Sequence, residues 1–355
     1  MQDDSGFLPL LGFPDLKKEY IHRKKVARKK AHARFNQEKE SIQEHLEKGI
    51  REDQSHTAVL NACIFPFLND GEVAKKLGYV FLAADPLRDS KMKNLDFLIV
   101  KSKSSIAVFG DAKGPMVDPD YGIDDVRQKI KTVAESGELV SQRYFGGVRM
   151  SNEFVLGIDS EDAVETTKAL ARKGGNMVVW QASRSPESTL SVVAPPTNDS
   201  GLRKSMLHQD EGLNQMLRKV RTTTSVYSFF PQSHTYSKLT VLTLVQKKDS
   251  GSLTFSRDEL VKLVKETIPY AELSSVETEV DLIINHAMEI GFLRKDGTKY
   301  GLISRHREPS GLVSDLKKRW LISRLDKRRA EMEEEEIDSL QAELLAEKAK
   351  RPTLI

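Results

Sequence analysis

Apolar and polar positions change rhythm several times along this chain, and each change marks an element. In REDQSHTAVLNACIF (51–65) apolar residues recur at helical spacing. Three short apolar runs follow, YVFLAAD (79–85), LDFLIV (95–100) and SIAVFGDAK (105–113), and each is too short for a helix. The helical pattern returns in IDDVRQKIKTVAES, a strand in EFVLGID, a helix in EDAVETTKALARKG and a strand in MVVWQA. This succession predicts an α/β fold with a mixed sheet flanked by helices.

A run of turn formers, APPTNDSG (194–201), then separates this region from a second one. There FSRDELVKLV opens with Ser256 and has Glu259 three residues on, the spacing of a capping box. SSVETEVDLIINHAMEIG is a helix with Val276, Val280, Ile283, Ile284, Ala287 and Ile290 on one side, and FLRKDGTKYGLI reads as a tight hairpin around Asp296-Gly297. Three helices and a hairpin resemble a winged helix. The domains expected are therefore an N-terminal arm and helix (1–50), an α/β core (51–195), a connector with one helix (196–235), a winged-helix-like domain (236–306) and a charged helical tail (307–355).

Composition narrows the class. The chain has 355 residues, 39% hydrophobic and 30% charged, with a net charge of +3. It has no apolar run of the length a spanning helix needs and no signal-peptide layout, so a cytoplasmic protein is expected. A single cysteine, Cys63, lies in the apolar run VLNACIFPFL and excludes a disulfide framework or a cysteine-based zinc site.

Charge is unevenly distributed. From Lys17 to Arg34 nine Lys or Arg face one acid, Glu19, with no clean apolar stripe. This pattern points to a solvated arm contacting phosphate through Lys24, Lys25, Arg28, Lys29 and Lys30. The tail carries a basic block, KKRWLISRLDKRR, and an acidic one, EMEEEEID, which points to self-association or a solvated extension more than to a DNA groove, and a homodimer or a partner protein is expected through the winged-helix-like domain together with the tail.

The strand ending FGDAKG carries the chemistry. Asp111 and Lys113 share one face of that strand, and fourteen residues separate Asp96 from Asp111. If the two strands pair antiparallel, Asp96 and Asp111 meet at one sheet end with Lys113 beside them. Such a cluster can supply the carboxylates a hard cation takes. On the preceding helix Glu52 and His56 are four apart and share a face, with Glu72 as an alternative further along.

Asp96, the fourteen-residue gap and Asp111-Ala112-Lys113, in the order helix, strand, strand, strand, helix, resemble the PD-(D/E)XK nuclease superfamily and its restriction-endonuclease-like core. The resemblance covers about residues 52 to 182. It departs at Leu95, where the motif has proline, and at Asp111, where many members have glutamate. It implies an endonuclease that hydrolyses DNA phosphodiester bonds, of restriction, recombination or transposition type. It further implies Mg²⁺, with Mn²⁺ able to substitute, held by Asp96, Asp111 and the Ala112 carbonyl, with Glu52 or His56 completing the site. Lys113 would orient the attacking water, and Gln128, on the following helix, is a further candidate at the scissile phosphate.

Lys129 and Lys131 on that helix, and Arg294, Lys295 and Lys299 in the hairpin, are expected to meet the DNA backbone. The alternatives are a catalytically silent DNA-binding or scaffolding protein, and a nuclease for branched DNA or RNA. The acids Glu277, Glu279, Asp281 and Glu289 argue against insertion of the last helix of the second domain into a groove.

Overall fold

The computed structural model describes residues 17–64, 67, 78–84, 86–87, 90–101, 103, 105–113, 119–159, 163–172, 178–183, 189–192, 238–243, 245, 253–267, 273–306 and 308–350. The connector helix, the first sixteen residues and Glu72 lie outside them. Two compact units divide the chain: one comprises the terminal segments, up to Gly49 and from Lys317, and the other runs from Ile50 to Leu316.

The larger unit is mixed α/β. Its six strands, β1 (Val80–Ala84), β2 (Phe97–Lys101), β3 (Ile106–Lys113), β4 (Ser151–Asp159), β5 (Val178–Ser183) and β6 (Thr189–Val192), lie side by side in chain order. β1, β2 and β3 are antiparallel, β3, β4 and β5 are parallel, and β6 returns antiparallel on β5. Each parallel step needs a crossover. The first is made by α2 (Pro119–Glu135) and α3 (Gly137–Phe145), the second by α4 (Ala163–Arg172).

Both faces of the sheet are covered, which explains why β2 and β3 read as continuous apolar runs. On one face the last turns of α1 (Lys17–Ile64) bring Val59, Leu60, Cys63 and Ile64 against Phe97, Ile99, Val108, Ala112, Val155 and Trp180. On the other, Val126, Val133 and Val140 pack on Leu98, Val100, Ala107, Phe109, Leu156 and Val179. Cys63 is core, as expected: burial pushes its thiol pKa far up, and its Sγ stands 2.5 Å from where a Cβ on Gly157 would lie. Helix α3 and the edge strand β6 are additions to the elements read from the sequence.

The same unit carries a small three-stranded sheet, ordered β7 (Thr254–Ser256), β9 (Lys299–Leu302), β8 (Leu293–Asp296), with helices α5 (Arg257–Thr267) and α6 (Leu273–Glu289). The capping box forms as read: Ser256 N–H donates to Glu259 Oε2 (2.7 Å) and Glu259 N–H to Ser256 Oγ (3.2 Å). Gly297, at a φ of 60°, turns the hairpin. Of the first of the three expected helices the described residues are 238–243 and 245: Lys238, Leu239 and Val245 are α-helical, and Thr240–Thr243 form a 3₁₀ turn.

The terminal unit corrects two expectations. No break separates an arm from the core helix, because α1 runs unbroken from Lys17 to Ile64. The basic segment is not simply a solvated arm, since it pairs with α7 (Pro309–Lys350) from the other end of the chain. Tyr20 and Ala27 pack on Leu340, and Phe35 on Leu325 and Met332. Outside this seam Arg23 meets Glu347 (3.2 Å), Lys30 meets Glu336 (2.9 Å) and Arg34 meets Glu335 (3.5 Å). The acidic block thus finds its partner within the same chain. Among the described residues, no helix is long and apolar enough to cross a membrane.

Candidate active site

Antiparallel pairing of β2 with β3 sets Phe97 opposite Gly110. One residue beyond the strand, Asp96 N–H donates to the Gly110 carbonyl (3.0 Å), which holds Asp96 at the end of the ladder, one step along β3 from Asp111. Its carboxylate then turns onto β3, where Oδ2 accepts the Ala112 N–H at 2.6 Å. In a strand the N–H and C=O of one residue share an edge. The Ala112 carbonyl therefore lies on the edge that β2 no longer covers, beside Asp96.

His56, from α1, completes this side, with Nε2 3.4 Å from Asp96 Oδ2. Burial draws the imidazole pKa down, but its bond and charge pairing with Asp96 outweigh that and leave it above the ordinary histidine value. Asp96 shows the reciprocal effect. Burial alone would raise its pKa, yet His56, Lys129 and the Ala112 N–H bring it to about 2.

Asp111 is different. It is only 1% exposed, and burial together with the Asp96 charge pushes its pKa above the usual carboxylate range despite two lysines. One is Lys129 from α2, whose ammonium donates to Asp111 Oδ1. The other is Lys113, whose Nζ lies 3.2 Å from Asp111 Oδ2. That Oδ2 is buried and accepts no aligned hydrogen bond. Lys113 donates instead to Asp125 Oδ2 at 2.9 Å, and Lys93 donates to the other oxygen of Asp125. Burial works against the Lys113 charge, but Asp111 and Asp125 hold its pKa above the ordinary lysine value.

The expected trio therefore does converge: Asp96, Asp111 and Lys113 share one sheet end, and Lys113 and Asp96 remain 28% and 22% exposed. Of the two α1 candidates, His56 is the one that reaches Asp96, while Glu52 is half-buried one turn earlier. Gln128 is exposed on α2 and accepts a hydrogen bond from Lys93 (3.1 Å).

Lys129 is a correction. Expected to face DNA, it is 8% exposed and bound to Asp111. It lies three residues after Val126 and four before Val133, so helical spacing puts it toward the sheet. That spacing was the available signal for Lys129, and for Asp125 one turn before it. Lys131 is exposed and pairs with Glu135 (3.6 Å).

The other cations separate by position. Lys25, Arg28 and Lys29 are exposed on α1, Lys30 is exposed but engaged by Glu336, and Lys24 is half-buried beside the Tyr20 ring. Arg294, Lys295 and Lys299 are exposed in the β8–β9 hairpin.

Among the described residues no three His, Cys, Asp or Glu side chains close around one point. The donors on offer to a cation are thus two carboxylates and one carbonyl, all oxygen, the kind Mg²⁺ accepts while keeping several waters. The under-bonded Asp111 Oδ2, raised in pKa beside Asp96, fits that need, because a cation between the carboxylates relieves their repulsion. No family model, curated protein or solved structure matches the chain.

Proposed function

We propose that the α/β unit is a divalent-metal-dependent endonuclease that hydrolyses DNA phosphodiester bonds, with a restriction-endonuclease-like core of the PD-(D/E)XK type. The observation that carries this reading is the side-by-side placement of Asp96 and Asp111 across the end of the β2–β3 ladder, with Lys113 on Asp111. Burying charge at such a point costs stability unless chemistry repays it.

Asp96, Asp111 and the Ala112 carbonyl would hold Mg²⁺, with Mn²⁺ as a substitute. When bound, the ion supplies Lewis-acid charge to a phosphoryl oxygen and makes an attacking water more acidic. His56 orients the Asp96 carboxylate and, with the Ala112 N–H, keeps it ionised. Lys113, fixed by Asp125, offers its ammonium to the charge that builds on the phosphoryl oxygens.

The exposed stripe Lys25, Arg28 and Lys29 and the hairpin cations Arg294, Lys295 and Lys299 would meet the phosphate backbone. In this reading the β7–β9 sheet with α5 and α6 is a winged-helix-like module. Its α6 presents acids, one of them, Asp281, already bound by Arg257 at 2.7 Å, so it would serve protein contact ahead of groove reading.

The test is incubation of the pure protein with plasmid, linear duplex, branched DNA and RNA in Mg²⁺, Mn²⁺ or EDTA. EDTA-sensitive scission of DNA is expected. Retention of DNA with no scission in either metal would leave a binding scaffold, and scission of RNA or of branches alone would reassign the substrate.

A further inference from the structure

Two ammonium groups share two carboxylates at this sheet end. Lys113 Nζ lies 3.2 Å from Asp111 Oδ2 and 2.9 Å from Asp125 Oδ2. Lys129 is bound to Asp111 Oδ1 and has Asp125 Oδ2 at 3.7 Å, four residues back on its own helix. Asp111 is the deep member of the pair, while Asp125, with 19% of its side chain exposed, is the rim. Each lysine therefore has a second carboxylate to move to without leaving the cluster.

A further cation that comes between Asp96 and Asp111 meets the Lys129 ammonium, whose charge already acts on both carboxylates. Like charges a few ångströms apart in a half-dry site repel strongly. Removal of an ammonium from a buried carboxylate is costly unless it has another partner ready. Asp125 is that partner, and Lys93, its third lysine, can turn to the Gln128 carbonyl it already donates to.

We infer that Lys129 is an exchangeable internal counterion of Asp111, and that Asp125 is the positioning residue that receives it when a divalent cation binds. The two residues then set how tightly the site takes that cation. The inference rests on the metal site proposed above and concerns its affinity, which can be measured without cleavage.

Calorimetric titration with Mn²⁺, in the absence of nucleic acid, separates the possibilities. Lys129→Met should bind Mn²⁺ more tightly by on the order of tenfold, because the competing charge is gone. Lys129→Arg, which keeps the charge, should stay near wild type. Asp125→Asn should bind more weakly by a similar factor, since both lysines are left to Asp111, and the Lys129→Met/Asp125→Asn double variant should recover at least wild-type affinity. The Mn²⁺-induced rise in melting temperature should follow the same order, which covers a variant whose fold is weakened. Wild-type binding with Lys129→Met equal to or weaker than wild type overturns the exchange. If wild-type protein takes up no Mn²⁺, the metal site falls and the exchange falls with it.

Discussion

The ring of Phe97 lies on Gly110, directly across the β2–β3 ladder, in the space a side chain at 110 would need. A Cβ built there would sit 1.8 Å from the Phe97 Cζ. Each residue is one step from a site carboxylate, Phe97 from Asp96 and Gly110 from Asp111, so this contact lies directly beside the pair. Phe97 also stacks on Trp180, with ring centroids 6.1 Å apart, and cannot simply swing away.

Gly110→Ala should therefore destabilise the larger unit by about 1–3 kcal/mol, the range for overpacking a core. Combined with Phe97→Leu, which makes room, it should cost less than the sum of the two single changes in urea unfolding. Strict additivity would contradict the packing described.

Acid stability follows from Asp125. Burial would raise its pKa, but Lys93, Lys113 and Lys129 outweigh this and bring it to about 2, below the ordinary 3.8. A depressed carboxylate stabilises the fold fully above its unfolded pKa and loses that contribution as pH falls through the folded one. Wild type should therefore melt higher than Asp125→Asn at neutral pH, and the gap should close between about pH 4 and pH 2. A gap that stays constant across this window would mean that the lysines do not depend on the Asp125 charge.

If the proposed phosphate contact by the terminal unit holds, it depends on which cations are already engaged. Replacing Lys25, Arg28 and Lys29 together by glutamine should lower the slope of log affinity against log salt for duplex DNA by about two to three. Lys30→Gln should change it little, because that ammonium is bound to Glu336. Equal effects from both changes would place the DNA contact elsewhere.

Much of the central site was legible in the sequence, because strand alternation and a short intervening turn are local facts. They placed Asp111 and Lys113 on one face and brought Asp96 back to meet them, while helical spacing put Glu52 and His56 on one face of α1 without saying which of them reaches Asp96. The supporting charges were harder to read. Lys129 looks like a solvated residue until the sheet supplies a buried carboxylate for it, and Asp125 has meaning only beside Lys93 and Lys113.

The pairing of α1 with α7 was hidden for another reason. Its seam uses Tyr20, Ala27 and Phe35 on α1, a sparse set, and its counter-charges lie about three hundred residues away in sequence. Charge blocks indicate that a partner exists without saying that the partner is the same chain. The edge strand β6, TLSV, is short and weakly patterned, and it needs β5 to form at all.

The most direct test of the account is Mg²⁺-dependent cleavage by Asp111→Ala beside wild type, with folding followed by circular dichroism and DNA retention by gel shift. The account predicts that the variant folds, still retains DNA and has no Mg²⁺-dependent cleavage, with Lys113→Ala slowed by on the order of 10²-fold. Full activity in Asp111→Ala, on a substrate that wild type cuts, would contradict it.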